Sequence, residues 1–578
     1  MKKKITGIVR LQRGEAFLEV PNYKLRLKGD PKKFAGLNGV NVTIDGQDSN
    51  GAISDIGQIV REKSIPENGT SGHSVDLLVQ VIKANESKVG QIAGLMGLRP
   101  GLSRADESDG LIIIAITDPG FPTIQVPKEI SGMRVERRVA TPQQLIEGLL
   151  PLSQWESTVI EASMAELKAK IGYKKPPKVL VKLESMEVLK VTCHVGPDSG
   201  WPTLKKFLEG THKSLTVAMY EFYAEHIIET MTELGRNSPA KLDMILQVSS
   251  HDRDIEAVLE ESWTAARLRF VPASVSGPDR IFNNSYHTKV AVRDSSAVWI
   301  SSGNWSPNSQ PEVDPDADQF LYRKGNREWH VIVESKNLAT MYEKFIRYDM
   351  DSAEAVVAEE TMEVLPDLLI PQSMLFQEAG VAQPNPFSAK TFNDEPVTVM
   401  PLMSPDNYAK EIAKLIRSAK KSVYLQFSYI RQPSTELFDD VISAVSEKMA
   451  EGLDVRVLVG SAQNPEHSDL LIAKRKWKRK MFKKQSSKVH NKGVIVDGKA
   501  AVVGSNNWSN DGTQYNRDTS LVIKSKAIAE YYSSVFEFDW LNLSRPIIST
   551  EEIAPVIATT EVTPLGMVRV PWRAWFDE

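Results

Sequence analysis

His287 and Lys289 stand two positions apart, as do His490 and Lys492, and the same series of polar residues follows each pair. An aspartate comes five residues after each lysine, Asp294 and Asp497. Asn304 lies 17 residues beyond His287, and Asn507 lies 17 beyond His490. A further acid closes each set, Glu328 in Asn326-Arg327-Glu328 and Asp518 in Asn516-Arg517-Asp518. An imidazole can attack phosphorus and hold the phosphoryl group covalently, which splits one difficult displacement into two. A second imidazole, protonated, can give its proton to the leaving oxygen and then take one from water or an alcohol. Lysines bring positive charge, and asparagines bring neutral donors, to where negative charge develops. Two matched sets in one chain therefore hold the parts for phosphodiester chemistry.

The elements that must position these residues repeat too. Pro197-Asp198 and Pro405-Asp406 precede amphipathic segments at 204–208 and 412–416, and Lys213-Ser214 and Lys421-Ser422 open apolar strands. The offset between copies is 208 at these landmarks and 203 at the histidines, so the intervening segments differ by only five residues net. Each copy continues with a helical pattern (225–234; 436–449), a strand (242–248; 455–459) and a polar or basic helical stretch. The motif itself then spans a pair of short strands, 288–292 with 298–300 and 493–496 with 501–503. Strands alternating with helices predict an α/β fold with mainly parallel or mixed sheets. Val290-Ala291-Val292 and Val494-Ile495-Val496 lack polar alternation, as buried central strands do. The first copy carries 13 extra residues before its acid, which places the acidic loop 313–318 as an insertion. Both copies close with a helix, 338–348 and 527–536.

The two copies resemble the phospholipase D superfamily in its two-motif, single-chain form, over about residues 179–350 and 396–545. The first motif departs at Ser301, where the family usually has glycine. The resemblance implies two pseudo-symmetric α/β sandwich halves with central mixed sheets, which bring both histidines to one cleft. It implies a phosphodiesterase with His287 as nucleophile and His490 as general acid/base, although the pseudo-symmetry alone leaves these roles interchangeable. Glu328 and Asp518 are expected to hydrogen-bond the imidazoles and fix their tautomers, and Asp294 and Asp497 to brace the strand pair. No cofactor and no metal are expected, since the lysines supply the cation. A lone histidine is more often an ordinary core residue, so His73, His194 and His251 carry no role here, and Cys193 reads as a small buried residue.

Length and composition bound the rest. At 578 residues the chain exceeds a single core, and 41% hydrophobic with 25% charged residues is ordinary for a globular protein. A net charge of −4 makes any anion-binding surface local. The single cysteine forms no intramolecular disulfide, and no run reaches the 18 apolar residues of a membrane span, so a cytoplasmic protein with at most peripheral membrane contact is expected. Residues 1–75 read as a small β-rich module with turns at Gly29-Asp30-Pro31, Asp45-Gly46 and Asn50-Gly51. Residues 76–175 read as an α+β accessory domain, with 176–350 as the first half, 351–395 as a linker, 396–545 as the second half and 546–578 as a C-terminal extension, and the N-terminal region 1–175 is expected to recognise an unknown protein partner, restrain the active site or mediate assembly.

The basic run upstream of His490 contains Lys474, Arg475, Lys476, Trp477, Lys478, Arg479, Lys480 and Phe482. It is expected to attract phosphate, whether nucleic-acid backbone or anionic headgroups at a bilayer surface. Trp477 and Phe482 are expected to insert into an interface or stack on bases. Hydrolysis or transfer on a glycerophospholipid is the first reading of the substrate, because two fused motifs in a long chain are typical of lipid-active members. A nuclease is the alternative. Synthesis of cardiolipin or phosphatidylserine ranks behind both for want of a membrane segment, and a non-catalytic anion-binding scaffold is remote.

Overall fold

Both motif strands, Lys289–Arg293 and Lys492–Val496, lie at the centre of a large sheet with their apolar residues buried on both faces. That double burial explains the missing alternation. These findings come from a computed structural model. It describes the chain apart from residues 1–2, 13–14, 21–22, 29–32, 35–40, 50–51, 55, 57–58, 62–73, 105–109, 122–123, 157–172, 179–180, 249–253, 277–279, 283–284, 315–320, 356–365, 372–385, 549–554, 560–561, 573–574 and 576–578. His73, His251, the turns at Gly29-Asp30-Pro31 and Asn50-Gly51, and most of the 313–318 loop lie outside the described residues.

The chain divides into two units, Met1–Ala140 with Leu149–Ser157, and Thr141–Gly148 with Thr158–Glu578. In the first unit, six short strands between Lys3 and Arg61 form one sheet. Its first strand, Lys3–Gln12, pairs with both Glu15–Val20 and Asn41–Ser49, so the sheet curls back on itself around Val9, Leu18, Leu25, Ile44 and Ile53. The expected turn at Asp45-Gly46 is absent, because both residues lie inside Asn41–Ser49, paired with Lys3 and Lys4. Ladder hydrogen bonds outweigh the local turn preference there. The unit also holds a helix, Val75–Val89, capped by the Ser74 side chain, and a four-stranded sheet with Leu111–Thr117 buried along its whole length.

The second unit contains two α/β halves. The first sheet has eight strands in the order Leu268–Pro272, Lys241–Leu246, Ser214–Met219, Lys289–Arg293, Ala297–Ser301, Glu328–Glu334, Lys190–Gly196 and Lys390–Phe392. The second has nine: Met186–Val188, Val397–Ser404, Asp518–Lys524, Ala500–Gly504, Lys492–Val496, Ser422–Phe427, Asp454–Val459, Phe482–Gln485 and Ser544–Pro546. In each, a parallel trio meets the antiparallel motif hairpin at matching registers, Met219↔Lys289 and Phe427↔Lys492. The sheets are therefore mixed and the repeat is structural. One apolar core draws on both halves, including Val290, Trp329, Tyr342, Ile495, Leu521 and Tyr532.

The stretch 351–395 is more than a linker. Its start belongs to the helix Lys336–Glu354, Asp367–Pro371 is a strand, and Lys390–Phe392 edges the first sheet. Leu368, Leu369 and Ile370 are apolar and buried, and two strands of the C-terminal extension, Val556–Ile557 and Met567–Pro571, cover them. Among the described residues no helix is long and apolar enough to cross a membrane.

Candidate active site

The antiparallel hairpin of each half presents its histidine just before the strand, while the Ser/Gly-rich turn after the next strand brings up the asparagine. The imidazole rings of His287 and His490 meet with centroids 6.3 Å apart at 75°, both nearly buried. The ε-ammonium of Lys289 donates to the carbonyl of His287 at 2.8 Å, and that of Lys492 donates to the carbonyl of His490. Each lysine thus folds back on its own histidine, and all four residues share one pocket.

The acids cross between halves. His287 Nδ1 is 2.7 Å from Asp518 Oδ1, and His490 Nδ1 is 2.9 Å from Glu328 Oε1. The backbone explains the exchange: Arg517 N donates to Ser285 O and His287 N to Arg517 O, while Arg327 N donates to Lys488 O and His490 N to Arg327 O. The arginine before each acid ties the two halves together, with side-chain partners in both. The buried guanidinium of Arg327 donates to Asp539, Asp198 and the carbonyl of Gly196, and that of Arg517 to Asp349, Asp406 and the carbonyl of Ser404. The repeated Asn-Arg-acid triplets and Pro-Asp pairs were the sequence signal for this framework, although neither arginine nor its aspartates figured among the expected site residues.

The two acid–imidazole pairs share a geometry and differ in support. Glu328 accepts from Ser302 Oγ and Ser309 Oγ as well as from His490, so both of its oxygens are bonded. Asp518 accepts from Ser505 Oγ, while its Oδ2 is buried without a hydrogen-bond partner. Burial raises the Glu328 carboxyl, but the charge and hydrogen bond of His490, with Lys492, overcome that and hold it at about 2. Burial pushes Asp518 up to about 7 against the pull of Lys289 and Ser505. Burial, then Lys289 and Lys492, hold His287 well below the ordinary imidazole value. Burial and then Lys492 bring Lys289 down to about 7.

Other expected residues fall as follows. Asp294 and Asp497 sit in the hairpin turns at φ of 52° and 55°, where each carboxylate accepts three backbone N–H groups (His212, Lys213 and Ser214; Lys420, Lys421 and Ser422). Asn304 is buried with its amide nitrogen donating to Glu221 at 2.8 Å, whereas Asn507 is half-buried. Tyr220 lies beside both His287 and Lys289, its ring 4.9 Å from each. Tyr220 and Glu221 were missed because their second-copy counterparts are Ser428 and Tyr429, so self-comparison gave no signal. Ser301 is buried, accepts from Gly303 N at 2.7 Å and bonds to His330 Nδ1 at 2.7 Å, so the departing serine ties down the turn. Gly303 is required there, since a Cβ would come within 2.7 Å of the Glu328 carboxyl.

The basic run differs from expectation. The helix Pro465–Arg475 ends at Lys476 in the left-handed region (φ 56°), and the chain then passes through a short 3-10 turn, Arg479–Met481, into a strand. Trp477 and Phe482 are buried against each other, with the Trp477 indole N–H donating to Ser446 Oγ at 2.9 Å, so neither can insert into a bilayer or stack on a base. Their five-residue spacing reads as a surface feature only if the helix continues, and it does not. Arg475 pairs with Asp439, Arg479 is buried and donates to the carbonyl of Ile548, and Lys474 is half-buried. Lys476, Lys478 and Lys480 are exposed. Cys193 is buried, as expected.

A family model described as "Cardiolipin synthase, PLD-like domain" matches residues 204–350 and 412–540. Proteins named cardiolipin synthase from Listeria welshimeri and Listeria monocytogenes are each 28% identical over 164 residues, which covers 26% of this chain and 33% of theirs. The match therefore spans about a third of the length of these curated relatives. Among solved structures, the phosphatidylserine synthase of Haemophilus influenzae aligns with a TM-score of 0.42 and 12% identity, covering 64% of this chain and 91% of that one. A phospholipase D family member from Salmonella typhimurium aligns with a TM-score of 0.22 and 21% identity, covering 26% and 97%. The family match falls on the two segments that carry the repeated motif, and the chain belongs to the phospholipase D superfamily.

Proposed function

We propose that this chain cleaves or transfers phosphodiesters through a phosphohistidine, with a glycerophospholipid as substrate. The observation that carries the mechanism is the unequal support of the two crossed acid–imidazole pairs. Glu328, with both oxygens bonded and a firmly ionised carboxylate, stabilises an imidazolium at His490, the form a general acid needs. His287 is held neutral, the form a nucleophile needs. With its Nδ1–H donated to ionised Asp518, the His287 Nε2 lone pair is free to attack phosphorus.

The P–O bond to the leaving alcohol breaks as the N–P bond forms, and His490 gives its proton to the departing alkoxide. Neutral His490 then takes a proton from water or a second alcohol, whose oxygen displaces His287. Lys289 and Lys492 carry the charge of the non-bridging oxygens in a site largely closed to solvent. Names of the matched relatives make a phospholipid the proposed substrate class, reached by peripheral contact with a membrane surface. Release of headgroup from phospholipid vesicles, run beside cleavage of single- and double-stranded DNA and RNA, tests the reading. Headgroup release that disappears in both His287→Ala and His490→Asn is the expected result. Strand cleavage with the same dependence would replace it with a nuclease.

A further inference from the structure

We propose that the C-terminal extension helps to form the subsite for the leaving and entering alcohols, and that this subsite selects a neutral or anionic alcohol over a quaternary ammonium one. The proposal rests on His490 acting as the acid and base, because the alcohols then lie on its side of the phosphorus.

Tyr429, Arg431, Lys488 and Trp575 link the C-terminal extension to the two chain segments that flank His490. The register Phe427↔Lys492, carried on two residues, sets Tyr429 opposite His490, and Ser428 N donates to Asn491 O at 3.1 Å between them. Lys488 stands two residues upstream of His490, and its ammonium reaches across to Asn308 Oδ1 of the first half at 3.3 Å. Trp575, from the end of the chain, lies under that ammonium with its ring centroid 5.8 Å away. Tyr429 and Trp575 both pack on a small apolar cluster of Leu368, Ile370, Ala462 and Trp572, which the strand Met567–Pro571 builds with Asp367–Pro371. The guanidinium of Arg431 lies 5.1 Å from the Tyr429 ring and pairs with Glu147 at 2.9 Å.

Aromatic faces are what bind quaternary ammonium groups. Here each of the two rings already holds a protein cation at cation–π distance, so an incoming ammonium meets an occupied face and like charge. An alcohol without positive charge meets neither penalty. The first half has a carboxylate, Glu221, at the position of Tyr429, so this polarity belongs to the second half alone.

The test uses the full chain and vesicles that contain phosphatidylglycerol and phosphatidylcholine in equal amounts, with glycerol and choline release read from the same vesicles. Surface binding then cancels from the ratio. Glycerol release should exceed choline release about tenfold, the discrimination expected from roughly 1.4 kcal/mol. Lys488→Glu should bring the ratio towards one, chiefly by lowering KM for phosphatidylcholine, and Trp575→Ala should move it the same way. Lys526→Glu makes the same charge change on an exposed helix and should leave the ratio as it was. Equal release by the unaltered protein, or a ratio unmoved by Lys488→Glu, overturns the proposal. Release of neither headgroup overturns the lipid reading and this inference with it.

Discussion

The two halves of the catalytic unit agree in backbone and disagree in how they satisfy their buried charges. Strand order, hairpin register, positive-φ aspartates and guanidinium anchors are shared. The second-half histidine faces an acid with every oxygen bonded, and the first-half histidine faces one with an oxygen left over. The first half also sets Tyr220 and Glu221 where the second has Ser428 and Tyr429. A symmetric scaffold can therefore hold two like pairs with different support, and under the proposed mechanism that difference divides the labour between them.

The histidines break the comparison most severely. His287→Ala should lose activity by about four orders of magnitude or more and form no covalent adduct. His490→Asn should lose turnover on natural esters yet accumulate a labelled adduct from a p-nitrophenyl diester, whose leaving group needs no proton. Adduct in the first variant and none in the second would reverse the assignment.

The acids sharpen it. An amide in place of Asp518 cannot hold the Nδ1–H tautomer of His287, so Asp518→Asn should cost roughly 10³–10⁴ in rate, as loss of a triad's orienting carboxylate does. Glu328→Gln should cost a similar factor on natural esters and much less on the p-nitrophenyl diester. An equal loss for both variants on both substrates would show that the pairs are equivalent.

The pH profile is the next probe. Asp518 loses its proton as pH rises through about 7, which activates His287, while Lys289 loses its charge over the same interval. A narrow bell centred near neutrality should result, in kcat/KM. Lys289→Arg keeps its charge at every accessible pH, so the alkaline limb should move upward while the acid limb stays.

Structural substitutions complete the series. Trp477→Ala should destabilise by about 3–5 kcal/mol, the cost of emptying a buried indole site, whereas Lys478→Ala should lie within about 0.5 kcal/mol. Asp294→Ala and Asp497→Ala should each cost roughly 1–3 kcal/mol in urea unfolding, because each strands three backbone N–H groups. Equal costs would confirm that the scaffold, unlike the chemistry, is symmetric.

The repeat and both motif sets were legible in the sequence because each is local: histidine, lysine, asparagine and acid keep their order within one copy. The fold class followed from buried strand runs such as Val494-Ile495-Val496. The crossing of Asp518 to His287 and of Glu328 to His490 was not legible, since it depends on backbone exchanges between segments some 160–230 residues apart in the chain. The basic run was misread for a different reason. Its charge pattern fits a continuous helix, but a single left-handed residue, Lys476, turns the chain and buries the two aromatic residues. The strand Asp367–Pro371 was lost in an Ala/Glu/Pro-rich stretch because its partners lie some 190–200 residues further along the chain.

The crossed acids bear on how the two copies can change over generations. A substitution at Asp518 is felt at His287, and one at Glu328 at His490, so neither copy can drift as a unit without altering the other's chemistry. Exchange of the two acids would preserve every local motif and still swap the support of both histidines. The unit on which selection acts is thus the diagonal, one copy's histidine with the other copy's acid, rather than either repeat.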